Sequence, residues 1–128
     1  MQIERHILLD RAAYRPGPAP GSYAASVRAG ERIFLSAQGG MGPDGQMAGL
    51  GDAAAQTNAA IDRLEAALEA AGGSLKDITK LTTSVVERDF RMAVYGTISK
   101  RLPGVYPVST GLVVAGLPSP EMMVQIDA

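Results

Sequence analysis

The chain has no cysteine and no tryptophan, two phenylalanines, and one histidine in 128 residues. Without cysteine there is no disulfide framework and no thiolate metal site. With His6 as the one imidazole, a transition-metal centre would need carboxylates almost alone, so no metal site is expected. His6 lies among apolar residues, where packing or surface exposure accounts for it better than catalysis does. An excess of positive charge is also missing: 12 Lys and Arg stand against 13 Asp and Glu, for a net charge of −1. Nucleic-acid binders normally concentrate basic residues on one face, and anionic membranes attract polybasic runs. Neither partner fits this balance. No apolar run approaches the ~20 residues of a bilayer span. The opening MQIERHILLD lacks the basic stretch, apolar run and small-residue cleavage site of a signal peptide. The expectation is a soluble, cytoplasmic protein.

A chain of 128 residues is expected to form one domain, residues 1–128. That length buries roughly two thirds of the unfolded surface. With few aromatics, aliphatic side chains must fill the core, and the abundant alanine suits close helix–sheet packing. Residues 3–9 read as a first strand. RPGPAPG, residues 15–21, is too rich in proline for a helix interior or central strand and is a loop. SYAASVRAGERIFLSAQ, residues 22–38, reads as a hairpin turning at Ala29-Gly30-Glu31. In the glycine-rich loop 39–51, Pro43-Asp44-Gly45 is a turn signal. Its glycines make no phosphate loop, because Pro43 intrudes and no Lys-Ser/Thr follows.

Asp52 is an N-cap for a helix running to about Ala71, closed by Gly72-Gly73. Thr57, Ile61, Leu64, Leu68 and Ala71 recur at helical spacing and define its buried face. Arg63, Glu65 and Glu69 fall largely off that face and read as solvated surface. Threonine and β-branched residues make 78–86 a strand. Asp89 is expected to cap a second helix over residues 90–102, with Phe90, Val94, Ile98 and Arg101 as its stripe. Strands at 107–114 and 122–127 complete the order β-β-β-α-β-α-β-β. Early hairpin strands exclude an all-parallel doubly wound sheet. An α+β fold fits, with two helices on one face of a mixed six-stranded sheet. Strand 78–86 alternates apolar with small polar residues, as a subunit interface or ligand cleft would. Met122 and Met123 read as core or interface filler.

Three blocks, in order, resemble the YjgF/Rid (reactive intermediate deaminase) family. They are GSYAASVRAGERIFLSAQ (21–38), AAAQTNAAIDRLEAALEAAGGSLKDITKLTTSV (53–85) and YPVSTGLVVAGLPSPEMMVQIDA (106–128). The resemblance implies a chorismate-mutase-like fold and a homotrimer with a small-molecule cleft at each subunit boundary. It further implies hydrolysis of imines or enamines without metal or organic cofactor, with an arginine holding the substrate carboxylate.

The departures are as informative. The family's Pro-Ala-Arg-Ser arginine falls on Ser109, in Pro107-Val108-Ser109-Thr110. Serine has one donor and no charge, and cannot replace a bidentate, charge-assisted fork. A family glutamate falls on Gln125, which can orient a water but cannot take its proton at neutral pH. Another becomes Asp127, the glycine before Gln38 becomes Ala37, and a helix asparagine falls on Val94. Tyr23, Ser36, Gln38 and a hydroxyl at Thr110 are retained. By resemblance, Gln125 and Thr110 are the catalytic candidates, and Tyr23, Ser36, Gln38 and Ser109 line the ligand site. Arg88 or Arg91, near a strand end, is the candidate to replace the lost charge. Hairpin packing explains Tyr23 equally well, strand-end hydrogen bonding explains Ser36 and Gln38, and strand exposure explains Gln125. Three readings follow: a Rid-like trimer acting on an imine or enamine other than the usual 2-imino acids, a non-catalytic binding or interaction trimer, and an endoribonuclease or translation inhibitor. The last has least support, because RNA binding calls for a basic or aromatic-lined surface.

Overall fold

The computed structural model describes residues 1–6, 23–42 and 44–128. The proline-rich loop 15–21, the end of the expected first strand, and Pro43 lie outside the described residues. Asp52 adopts extended backbone angles (φ −121°, ψ 100°), and its carboxylate accepts the Ala55 N–H at 3.0 Å. Helix α1 follows over Ala53–Ala70. The expected stripe is its buried face: Thr57, Ile61, Leu64, Leu68 and Ala71 are all buried, with Ala60 and Ala67 beside them. Gly72, at φ 88°, ends the helix, and the Gly73 N–H returns to Leu68 O at 2.8 Å.

The second helix, α2, spans Arg91–Arg101 and starts differently from expectation. Asp89 is no cap. It belongs to a 3-10 turn, Arg88–Phe90, that runs straight into α2, and Phe90 holds the N-cap position in helical geometry without a side-chain bond. Val94 is fully buried, and Phe90 and Ile98 pack against the core from its edge. Arg101 ties the helices together through Asp62 Oδ1 at 2.7 Å and Asn58 O at 3.1 Å.

Strands β1 (Ile3–His6), β2 (Ser26–Ala29) and β3 (Arg32–Leu35) form an antiparallel meander. The β2–β3 hairpin turns at Gly30, whose φ of 63° suits glycine. Strands β4 (Lys80–Val85), β5 (Val108–Val113) and β6 (Val124–Asp127) form a second group in the order β5-β4-β6. β4 is parallel to β5 and antiparallel to β6. The two groups join because β3 continues alongside β6. Leu35 N–H donates to Ala128 O at 2.9 Å, and Gln38 and Ile126 exchange both backbone bonds at 2.8 and 2.9 Å. The result is one mixed six-stranded layer, β1-β2-β3-β6-β4-β5, with both helices on one side.

Strand alternation assigns the faces. Leu81, Thr83 and Val85 of β4, with Val124 and Ile126 of β6, are buried against the helices. Lys80, Thr82 and Ser84 point the other way. Gln56 of α1, fully buried, donates to Gly49 O (3.3 Å) and Glu121 O (3.0 Å) and accepts from Met123 N–H (2.8 Å). It thereby clamps two loops to the helix. Leu64 sits at the centre of the α1 face and is 1% exposed. Leu64→Ala is expected to destabilise the fold by about 2–5 kcal/mol, read from urea unfolding; a change below about 1 kcal/mol would contradict the placement of the core.

Candidate functional site

The register of β5 decides which of its residues meet. Ser109 pairs with Leu81 and Gly111 with Thr83, so both lie on the helix side of the sheet. Thr110 pairs with Thr82, and Thr82 with Asp127 on its far side. Gln125 pairs with Ser84, which also faces Leu112. Thr110 and Gln125 therefore share the open face, and the thickness of the sheet separates them from Ser109. Within one chain the predicted set is divided.

On the helix side, α2 leans on α1 more than on the sheet, and β5 is left exposed along its length. Between them opens a cavity of about 480 Å³, lined by Arg88, Arg91, Tyr95, Ser109 and Gly111, with Leu112 and Val113 at the strand. The surroundings of Ser109 are thus not stripped of positive charge. Arg88, in the 3-10 turn, and Arg91, at the start of α2, supply two guanidinium groups. Neither guanidinium has a hydrogen bond or ion pair among the described residues. Positions 88, 91 and 95 are spaced 3 and 4 apart, which brings them to one helical face. That second stripe was present in the sequence beside the one through Val94. Tyr95 is the lining residue that sequence reasoning missed. Its hydroxyl lies over Gly111, where a Cβ would overlap it.

Tyr23, Ser36 and Gln38 belong to a different group, with β6 and β4 between Gln38 and β5. Ser36 Oγ donates to Ala24 O at 2.6 Å. Gln38 is buried, donates through Nε2 to Ser36 O at 3.3 Å, and accepts Arg63 Nε at 3.0 Å. Arg63 also donates to Met41 O at 3.2 Å. Arg63 was expected to be a solvated helix side chain; it is half-buried and brackets the loop after β3 to α1. Tyr23 is 47% exposed. Partial burial raises its phenol above the usual tyrosine value, and the positive charge of Arg63 opposes that shift. His6 Nε2 lies 3.7 Å from the Glu4 carboxylate, and the His6 carbonyl accepts the Ala25 N–H at 2.9 Å. A second groove, of about 730 Å³, runs between β3 and the start of β4 past Phe34, Leu68 and Lys80; none of the predicted site residues lines it.

A mixed sheet covered on one side by two helices, with a cavity at its edge strand, defines an α+β protein of chorismate-mutase-like fold. Residues 14–128 match the family described as Endoribonuclease L-PSP, and the chain belongs to that family. A RutC family protein of Pyrococcus abyssi is 27% identical over 112 residues, covering 87% of each chain. The RidA crystal structure from an Antarctic Psychrobacter is 29% identical, with a TM-score of 0.80 over 97% of this chain and 96% of that one. A Mycobacterium tuberculosis structure assigned to the YjgF/YER057c/UK114 family superposes with a TM-score of 0.83 over 99% of this chain and 97% of that one, at 24% identity, which speaks for the fold alone. Among the described residues no helix is long and apolar enough to cross a membrane.

Arg63→Gln removes the charge that opposes the Tyr23 shift while keeping much of the side chain. The Tyr23 pKa is expected to rise further in the variant, followed by NMR or ultraviolet titration between pH 8 and 12, a window chosen around the ordinary tyrosine value of about 10. An unchanged value would show that Arg63 does not act on the phenol.

Proposed function

We propose that this protein is a Rid-type homotrimer whose subunit clefts bind a small anionic molecule, with Arg88 and Arg91 replacing the strand arginine that Ser109 has lost. The carrying observation is that both arginines line the cavity of Ser109 and have no partner among the described residues. Two free guanidinium groups beside a serine hydroxyl suit a carboxylate, because Arg donors match its two oxygens. The open sheet face supports assembly. Phe34, Val108 and Leu112 are 56%, 67% and 46% exposed there, among the hydroxyls of Thr82, Ser84 and Thr110. A face of that composition, uncovered in one chain, is suited to another copy. Assembly would also bring Thr110 and Gln125 to a subunit boundary.

The reaction that fits is hydrolysis of an imine or enamine bearing a carboxylate. Water adds to the imine carbon, the C–N bond breaks, and a carbonyl compound and ammonia leave. Arg88 and Arg91 would hold the acid group, and Gln125 and Thr110 would orient the water.

The second reading is a binding or interaction trimer without turnover. It is favoured by one feature: among the described residues no carboxylate lines the cavity to act as general base.

Sedimentation equilibrium is expected to give three chains per particle, and a monomer would defeat the assembly. Pyruvate, a 2-oxo acid of the class such hydrolysis releases, is expected to bind. Arg91→Ala should weaken it by about 10- to 100-fold, since a hydrogen bond to a charged group contributes about 1.5–3 kcal/mol. Assays with 2-imino acids generated in situ then separate the two readings. Turnover abolished by Arg91→Ala supports the enzyme, and binding without turnover supports the second reading.

A further inference from the structure

Gly111 and Tyr95 fit one another at the β5 edge in a way that neither strand nor helix formation requires. Gly111 pairs in regular parallel register with Thr83 and is not among the glycines with positive φ, so its backbone does not call for glycine. Its neighbours in the strand, Val108 to Thr110 with Leu112 and Val113, are mostly good β-formers. A glycine among them weakens the strand and commonly marks a close approach by another group. Here the group is a phenol. A Cβ at position 111 would overlap Tyr95 Oη and lie 3.0 Å from its Cζ. The tyrosine therefore fills the space where a strand side chain would otherwise stand.

The phenol hydroxyl has no hydrogen-bond partner among the described residues, although Tyr95 is half-buried. The hydroxyl is not one of the buried side-chain atoms that lack a partner, so it stays accessible from the cavity. It lines the same cavity as the free guanidinium groups of Arg88 and Arg91 and the hydroxyl of Ser109, two residues before Gly111 on the same face. We infer that Tyr95 is a ligand-contacting residue of this cavity, admitted by Gly111, whose hydroxyl donates to the carboxylate that Arg88 and Arg91 neutralise. The inference rests on the anion-binding reading above and adds a specificity element to it. The donors then come from both walls, two guanidinium groups and a phenol from the helix side and a hydroxyl from the strand. A carboxylate held so far over β5 must be small enough to pass under Tyr95.

Calorimetric titration with pyruvate tests this on the intact protein. Tyr95→Phe keeps the ring and its packing and removes only the donor. It is expected to lower pyruvate affinity about tenfold, with the melting temperature and oligomeric state unchanged. Gly111→Ala displaces the ring, so it should lower both affinity and melting temperature. Adding Tyr95→Ala to Gly111→Ala removes the clash and keeps a good helix former, so it should match the melting temperature of Tyr95→Ala alone without restoring the affinity. If Tyr95→Phe binds pyruvate as the parent does while Arg91→Ala does not, the tyrosine only packs, and the inference falls with the anion cavity intact. If the parent protein binds no pyruvate, both fall.

Discussion

The alternation of side chains along β5 is the constraint on which the rest of the site depends. A strand must send successive residues to opposite faces, so Ser109 and Gly111 turn under α2 while Thr110 and Leu112 turn away. α2 packs on α1 and overhangs the edge strand without covering it. The space left over is the cavity, and whatever α2 presents on its inner face becomes its roof. Positive charge beside Ser109 therefore comes from above the sheet, from Arg88 in the 3-10 turn and Arg91 at the start of α2.

The remainder of the molecule keeps that geometry fixed. β6 is the hinge of the layer, shared between β4 and the extension of β3 through Leu35, Gln38, Ile126 and Ala128. Two side chains on α1 secure the irregular segments around it. Gln56 holds the turns near Gly49 and Met123, and Arg63 holds Gln38 and the carbonyl of Met41. Both are polar, both are drawn from the helix that supplies most of the apolar core, and both satisfy backbone or amide groups that burial would otherwise leave unpaired. Gln38 is therefore occupied by structure. Ser36, bonded to Ala24 O, is likewise a fastening between the strand end and the start of the hairpin.

Much of this was legible from residue patterns. The α1 stripe, its Asp52 cap, its glycine stop and the hairpin at Gly30 each follow from local chemistry, and each stands where it was expected. The second helix was less legible at its start, because Asp89 looks like a cap in sequence. Only the 3-10 turn Arg88–Phe90, set by how the chain leaves β4, shows that it is not. Arg63 misled for a related reason. Its position off the apolar stripe suggests solvent, but the loop after β3 folds back over it.

The grouping of Ser109 with Thr110 and Gln125 came from nearness in sequence and from resemblance, which do not register the faces of a sheet. By itself the sequence determined the elements, their order and their apolar faces, because helical and strand periodicity are properties of neighbouring residues. That both Arg88 and Arg91, together with Tyr95, come to line the cavity of Ser109 was decided by tertiary structure. It depends on how α2 lies across β5, and that is settled by packing between α1 and α2 rather than by any residue in the strand below.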